Sequence, residues 1–427
     1  MSTALPTTSP EAQGMSAERL ARIDRFLNQK YVAPGLLPAA QLLVARNGAV
    51  VHHSVLGHAV LAAEGVAPRP MADDTIVRIY SMTKPITSVA FMMLVEEGLV
   101  ALDDPVHRFI PAWRNLGVYV GGGAGVPGAA GGGWLTKPTD EPMRMIDLLR
   151  HTSGLTYGFQ TRTMVDAAYR KNKVEPFDME NADGAPGLQG FVDALGQIPL
   201  EFSPGSAFNY SVSTDVLGYL VEKISGVPFA DFLQQRILGP LGMVDTAFHC
   251  PDDKADRFAQ CYIAHPKAGL VPLPGRSFRA PTNAPSGGGG LVGTAADYLR
   301  FCECIRRGGE LDGVRLLGPK TVWLMRQNHL PGGRDLADLS QSLFSEAMYH
   351  GVGFGLGFAM TTDVARTGVA GSAGEFWWGG AASTAFWIDP VEDLSVVFLT
   401  QYMPSSQYPI RRELRTMVNA AVMDSKA

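Results

Sequence analysis

Segments that favour β-strands stand at the two ends of this 427-residue chain, and helical patterns fill its middle. Near the N-terminus, two apolar β-rich runs flank Asn47-Gly48, the dipeptide most typical of a tight hairpin. Near the C-terminus, residues 384–388 and 394–400 are β-rich and are joined by a short polar loop. The economical fold pairs the two ends in one antiparallel sheet. We therefore expect an α/β (α+β) fold whose sheet is flanked by helices.

The same pattern predicts how the chain divides. Residues 1–80 and 286–427 would form the α/β domain, and residues 81–285 a mostly helical inserted domain. Because ligand pockets favour the boundary between two such parts, we expect the active site in the groove between them. Two further segments, the Gly-Ala tract at 121–133 and the irregular stretch at 159–187, are predicted to be a surface loop and a mobile cover.

Composition excludes several classes of function. A net charge of -5, with 46% hydrophobic and 18% charged residues, is typical of a soluble globular protein and offers no basic surface for nucleic acid. No apolar run approaches the roughly 18 residues that span a membrane, and the polar N-terminus does not resemble a secretory signal. Four cysteines without zinc-ligand spacing indicate reduced thiols, no metal site and a cytoplasmic protein.

A possible nucleophile lies in the Ser-x-x-Lys pair of Ser81 and Lys84. After Lys84, apolar residues recur at helical spacing from Ile86 to Leu94, which predicts an amphipathic helix with Ser81 in its first turn. An amine one turn above a hydroxyl can activate it for attack, and burial of a lysine lowers its pKa toward that of a base. Such pairs also occur by chance, and a serine at a helix start is usually a cap.

Two other places carry candidate site residues. Tyr210 lies in a loop just before a predicted helix, where a tyrosine on its own is more often a packed ring with a satisfied hydroxyl. Trp378-Gly379-Gly380-Ala381 precedes the 384–388 strand, and its glycines would let a ligand approach the backbone.

Other catalytic patterns do not fit the chain. Gly288-x-Gly290-x-x-Gly293 matches a dinucleotide fingerprint in spacing, but no strand precedes it, so a tight turn into the helix at 295–306 is the better interpretation. No Gly-x-Ser-x-Gly elbow of an α/β-hydrolase is present. His151 is interpreted as structural, so the mechanism has to operate without a histidine.

Ser81-x-x-Lys84, Tyr210-Ser211-Val212 and Trp378-Gly379-Gly380 occur in the order of three motifs of one superfamily. From about residue 15 to its C-terminus the chain resembles the serine β-lactamases and penicillin-binding proteins, and within them the family VIII carboxylesterases, which are similar to class C β-lactamases. The strings at 148–155 and 202–205 add to the resemblance. It implies a β-lactamase-like fold.

The chain departs from the lactamase pattern at two positions. Val212 replaces an asparagine amide that would help hold a β-lactam side chain, and Trp378 replaces the lysine that would meet a β-lactam carboxylate. Both losses favour neutral esters over charged, amide-bearing substrates.

The resemblance implies a serine carboxylesterase that forms an acyl-enzyme on Ser81, with Lys84 or Tyr210 as the base. The oxyanion hole would use the backbone N–H groups of Ser81 and of Ala381, at the start of the strand after Gly380. Trp378, Gly379 and Gly380 would bind a small-molecule ester of short to medium acyl chain, without a cofactor, and weak β-lactamase activity would be a side reaction. Alternatives are an acyltransferase, a β-lactamase or D-amino-acid peptidase, and a non-catalytic penicillin-binding-like protein. The oligomeric state is not predicted.

Overall fold

The computed structural model describes residues 5–122, 133–174, 187–275, 277–341 and 349–427. Within these ranges the α-helices are α1 (Ala17–Leu27), α2 (Thr83–Glu96), α3 (Met145–Leu149), α4 (Met164–Asn172), α5 (Gly187–Leu195), α6 (Ser213–Ser225), α7 (Phe229–Leu233), α8 (Ala295–Arg306), α9 (Pro319–Met325), α10 (Leu336–Leu339), α11 (Val364–Thr367) and α12 (Ile410–Ala420). The strands are β1 (Ala39–Arg46), β2 (Ala49–Val60), β3 (Arg69–Pro70), β4 (Val77–Arg78), β5 (Val118–Gly122), β6 (Trp134–Lys137), β7 (Tyr262–His265), β8 (Gly269–Pro272), β9 (Val292–Gly293), β10 (Glu310–Leu311), β11 (Val314–Arg315), β12 (Val352–Phe354), β13 (Ala359–Thr361), β14 (Phe376–Gly379), β15 (Ala385–Asp389), β16 (Leu394–Leu399) and β17 (Tyr402–Met403).

The largest sheet joins the two ends of the chain. Its eight strands run in the order β12-β13-β14-β15-β16-β1-β2-β3, and every neighbouring pair is antiparallel. Strand β1 pairs with β16 so that Leu43 faces Val397, which places the first hairpin beside the last. Asn47 and Gly48 both have positive φ (52° and 84°), as a tight hairpin turn of this twist requires. The predicted α/β fold and its antiparallel sheet are confirmed.

The side chains of β1 alternate between two cores. Ala40, Leu42 and Val44 point to the face that is covered by α1 and α12. Leu43 and Ala45 point to the opposite face, which is covered by α8. The alternation follows from the two-residue period of a strand and shows that the sheet is the middle layer of three.

The helix that follows Ser81 differs from the prediction in one respect. An amphipathic helix would expose one side, but every residue of α2 from Thr83 to Leu94 is buried, including Lys84 and Ser88. Helix α2 packs on α6 and α7 within the core that also holds the inner face of the sheet. The prediction that the apolar stripe of α2 faces a core was correct. The polar residues on its other face are also buried, because α2 is surrounded by other elements of the core.

The irregular stretch predicted at 159–187 was wrong in part, because it contains helix α4, which Thr163 caps through its side chain. Residues 175–186 of that stretch and residues 123–132 of the Gly-Ala tract lie outside the described residues. Gly121 and Gly122, at the start of that tract, end strand β5 and pair with Leu135 and Trp134 of β6. The domain boundaries stay a prediction. In the described ranges no helix has the length and apolarity that crossing a membrane requires.

Candidate active site

Ser81 lies in a short 3-10 turn, Tyr80–Met82, directly before α2 rather than in the first turn of the α-helix itself. The turn is entered through Tyr80, whose φ of 43° is unusual for a residue with a bulky side chain. Such backbone strain persists only where the surroundings hold it in place, and it is frequent at functional sites. The turn leaves Ser81 half-buried at the wall of a cavity.

The Lys84 amine is buried and points at Ser81. Its Nζ atom lies 3.3 Å from Ser81 Oγ, 3.0 Å from the Tyr157 hydroxyl and 2.6 Å from the carbonyl oxygen of Gly288. A protonated amine donates to all three oxygens. A neutral amine has two N–H groups for Tyr157 and Gly288 and a lone pair for the hydroxyl of Ser81.

Tyr157 and Asp215 complete the surroundings of the amine, and neither was predicted from the sequence. The Tyr157 hydroxyl is 3.5 Å from Asp215 Oδ2, and Asp215 Oδ1 accepts hydrogen bonds from Ser286 Oγ and the backbone N–H of Gly288. Burial raises the pKa of Asp215, and the nearby charge of Lys84 opposes that rise. The glycine-rich turn at 286–290 therefore contributes contacts to this site, whereas the sequence analysis interpreted it only as a connection.

A side chain on Gly288 would not fit this arrangement. A Cβ atom there would lie 2.4 Å from Asp215 Oδ2 and 2.9 Å from the Tyr157 hydroxyl. Glycine at 288 is therefore needed because the backbone passes close to Asp215 and Tyr157. In the Gly288-x-Gly290-x-x-Gly293 pattern, this close approach was the feature that could have indicated the site.

Tyr210 reaches the same cavity from the loop before α6. The Lys84 Nζ atom lies 4.5 Å from the centre of the Tyr210 ring, and the indole N–H of Trp378 donates to the Tyr210 hydroxyl at 3.3 Å. His151 packs on Tyr210, with 4.9 Å between ring centres, and its Nδ1 is hydrogen-bonded with Ser211 Oγ. Burial, with a smaller contribution from Lys84, holds the pKa of His151 well below its ordinary value.

The segment predicted for the oxyanion hole lies opposite Ser81. Gly379 ends β14, and Ala381 lies inside the turn between β14 and β15, so the prediction that it begins the strand was wrong. Gly380 is packed against the chain that leads into Ser81, because a Cβ atom on it would lie 2.3 Å from the carbonyl oxygen of Ile79. Glycine at this position lets the two backbone segments meet.

The cavity that these residues share has a volume of about 490 Å³. Ser81, Tyr210, Trp378, Gly379, Gly380 and Ala381 line it together with the aromatic side chains Tyr80, Tyr157, Phe159, Tyr349 and Trp377. Arg411 of α12 also lies on its wall. Arg411 was not predicted as a site residue, because nothing in a helix near the C-terminus indicates which residue will face a distant serine.

The sequence, compared with known protein families, matches the one described as Beta-lactamase over residues 27–419. The chain belongs to the beta-lactamase family. This confirms the resemblance that the three motifs indicated.

Relatives within the family include proteins with and without an assigned activity. An uncharacterized protein of Mycobacterium tuberculosis (strain CDC 1551 / Oshkosh) is 35% identical over 87% of this chain and 87% of its own length. Esterase EstB of Burkholderia gladioli is 33% identical, over 92% of this chain and 93% of EstB. The solved structure of EstCE1, described as a hydrolase with promiscuous acyltransferase activity, has a TM-score of 0.74 and 26% identity, and covers 95% of this chain and 99% of EstCE1.

Proposed function

We propose that this member of the beta-lactamase family is a serine carboxylesterase that hydrolyses neutral acyl esters of short to medium chain length. The observation that carries the proposal is the buried Lys84 amine 3.3 Å from the half-buried hydroxyl of Ser81, at the wall of an aromatic cavity. Esterase EstB and EstCE1, which is described as a hydrolase, support this reaction class.

Acylation begins when Ser81 Oγ attacks the ester carbonyl carbon. The neutral Lys84 amine accepts the proton of Ser81, because its two N–H groups are directed at Tyr157 and Gly288 and its lone pair is left for the serine. The tetrahedral oxyanion forms between the backbone N–H groups of Ser81 and Ala381.

The bond between the carbonyl carbon and the alcohol oxygen then breaks. Tyr210, which lines the same cavity as Ser81, passes a proton to the leaving alcohol, and the proton that Lys84 took from Ser81 restores the Tyr210 hydroxyl. Water attacks the acyl-enzyme by the same route, giving up its proton to the restored amine, and the acid leaves as Ser81 recovers its hydrogen. No atom is gained or lost beyond one water for each ester.

The substrate preference follows from the character of the wall. Trp378 presents an indole where a β-lactamase would present a cation, and the cavity is surrounded by six aromatic side chains besides Tyr210. Arg411, a cation on the cavity wall, donates to the backbone carbonyl oxygens of Gly380 and Thr384. We infer a preference for an uncharged acyl group that packs on aromatic rings.

The proposal is tested by a panel of p-nitrophenyl esters of increasing acyl length, assayed beside nitrocefin and in the presence of a bulky alcohol. An esterase hydrolyses the esters with an optimum at short to medium chains and turns over nitrocefin slowly. A preference for nitrocefin would contradict the proposal and indicate a β-lactamase.

Acyl transfer is the second candidate. Acyl transfer would use the same catalytic residues, Ser81, Lys84 and Tyr210. A cavity of about 490 Å³ has room for an acceptor alcohol beside a short acyl chain. The acyltransferase activity in the description of EstCE1 favours testing it. The new ester formed from the bulky alcohol, measured against the acid released, separates the two: transfer that exceeds hydrolysis would make this chain an acyltransferase.

A further inference from the structure

The turn that carries Ala381 is closed by two backbone hydrogen bonds. The N–H of Gly380 donates to the carbonyl oxygen of Thr384 at 3.0 Å, and the N–H of Ser383 donates to the carbonyl oxygen of Gly380 at 3.1 Å. Ser383 has a φ of 65°, a conformation that costs about 1 kcal/mol or more for a residue with a side chain. A strained turn of this kind needs support from its surroundings.

Arg411 supplies part of that support. Its Nη2 atom donates to the same two carbonyl oxygens, at 2.6 Å from Gly380 and 3.0 Å from Thr384. The guanidinium packs against Gly379, where a Cβ atom would be only 2.6 Å from Arg411 Cζ. Any residue larger than glycine at 379 would displace the arginine from the turn.

The position of Arg411 in its helix also depends on these hydrogen bonds. It is the second residue of α12, and a cation in the first helical turn is disfavoured by the helix dipole. The hydrogen bonds with the two carbonyls offset that cost. Behind Arg411, Leu414 and Val418 of the same helix are buried in the core, so the base of the arginine is fixed relative to the sheet.

The hydrogen bond with Gly380 has a chemical consequence, because the Gly380 carbonyl and the Ala381 N–H belong to one peptide group. In a trans peptide these two point in opposite directions, so an oxyanion bound at the Ala381 N–H would lie on the far side of the peptide group from the Arg411 hydrogen bond. A cation on the carbonyl oxygen draws electrons from the peptide group and makes its N–H a stronger donor.

We propose that Arg411 is a positioning residue of the oxyanion hole, which fixes the turn at 380–384 and polarises the Gly380–Ala381 peptide toward the developing negative charge. This inference rests on the proposed function, because it assigns the Ala381 N–H to the oxyanion. It extends that function to a residue in the closing helix that does not touch the reacting atoms.

The test compares Arg411→Gln with Arg412→Gln. Arg412 is the next residue of α12, and it donates to the carbonyl oxygen of Gly368, outside the turn. We expect Arg411→Gln to lower kcat by about 10-fold with KM changed less than about 3-fold, since weakening a donor costs less than removing one. Arg411→Lys, which keeps the charge, should recover part of the loss, and Arg412→Gln should behave as the wild type.

An infrared measurement separates polarisation from simple loss of structure. The acyl-enzyme is formed with a p-nitrophenyl ester carrying carbon-13 at its carbonyl, and the acyl C=O band is recorded. A weaker oxyanion hole polarises this bond less, so the band of Arg411→Gln should shift to higher wavenumber, in proportion to the loss of kcat across the Arg411 variants.

An unshifted band, or equal effects of Arg411→Gln and Arg412→Gln, would overturn the inference even if activity fell. Full activity of Ser81→Ala, measured in the same series, would instead overturn the proposed function. The two failures are therefore distinguishable.

Discussion

The Lys84 amine and the Tyr157 hydroxyl lie 3.0 Å apart, and Tyr157 in turn stands 3.5 Å from the buried carboxyl of Asp215. The tyrosine is thus placed between a buried amine and a buried acid. The Tyr157 hydroxyl is the hydrogen-bond partner of the Lys84 amine, and the Asp215 carboxyl lies beyond that hydroxyl. This arrangement keeps the amine oriented on Ser81 without a direct ion pair.

Replacing Tyr157 by phenylalanine should lower kcat by about 10- to 100-fold, because the Lys84 amine becomes charged when it takes the Ser81 proton, and a hydrogen bond with a charged group contributes about 1.5–3 kcal/mol. The ring of Tyr157 stacks on Phe159 with 4.8 Å between centres, and the phenyl ring of the variant would preserve that contact. Steady-state kinetics with a p-nitrophenyl ester checks the prediction. A kcat within about 2-fold of the wild type would show that the hydroxyl does not orient the amine.

The indole N–H of Trp378 should matter more than the indole N–H of its neighbour. Trp378→Phe removes the hydrogen bond with the Tyr210 hydroxyl, and we expect a loss of about 5-fold in kcat, equivalent to about 1 kcal/mol. Trp377→Phe is the matched control, since within the described part of the chain the Trp377 N–H is buried without a partner. Its effect should be smaller, and equal effects of the two variants on kcat would contradict the assignment.

The fold was predictable from the sequence where local signals and long-range pairing agree. Asn47-Gly48 and the loop at 389–393 mark two hairpins, and both hairpins exist. The extent of burial was not predictable for α2, because an apolar stripe shows which face meets a core and says nothing about what covers the other face. Helix α4 was missed because its polar residues obscure a short buried face that contains Val165 and Tyr169.

Some residues of the candidate site could also be predicted from the sequence, and others could not. Ser81, Lys84, Tyr210 and Trp378 belong to motifs with fixed spacing, and the structure brings them together around one cavity. Tyr157, Asp215 and Arg411 carry no motif of their own. Their contacts depend on how α6, α12 and the glycine-rich turn pack, which one-dimensional patterns do not encode.

Stability should depend on pH through Asp297 of α8. Burial raises the pKa of this carboxyl from 3.8 to about 6, although Asp245 N–H and Thr246 Oγ1 both donate to Oδ2. The Asp245 charge adds to the rise, and Lys254 opposes it. The folded state thus holds the proton more tightly than the unfolded state, so this group's contribution to stability is full below pH 4 and is lost as pH rises to about 6.

Asp297→Asn removes that dependence. The free energy of unfolding of the variant, relative to wild type, should increase by on the order of 3 kcal/mol between pH 4 and pH 7. Urea unfolding of both proteins at pH 4, 5, 6 and 7 measures the difference. Parallel curves for the two proteins would refute the role of Asp297.

The proposed mechanism depends on the acylation of Ser81. Intact-protein mass spectrometry after rapid acid quench of a reaction with a p-nitrophenyl ester measures this directly, with peptide mapping to locate the adduct. We predict one acyl group on Ser81 in the wild-type protein, and no adduct and a loss of at least about 1,000-fold in turnover in Ser81→Ala, whose fold is checked by circular dichroism. An acyl group on another residue, or a Ser81→Ala variant that retains turnover, would contradict the account.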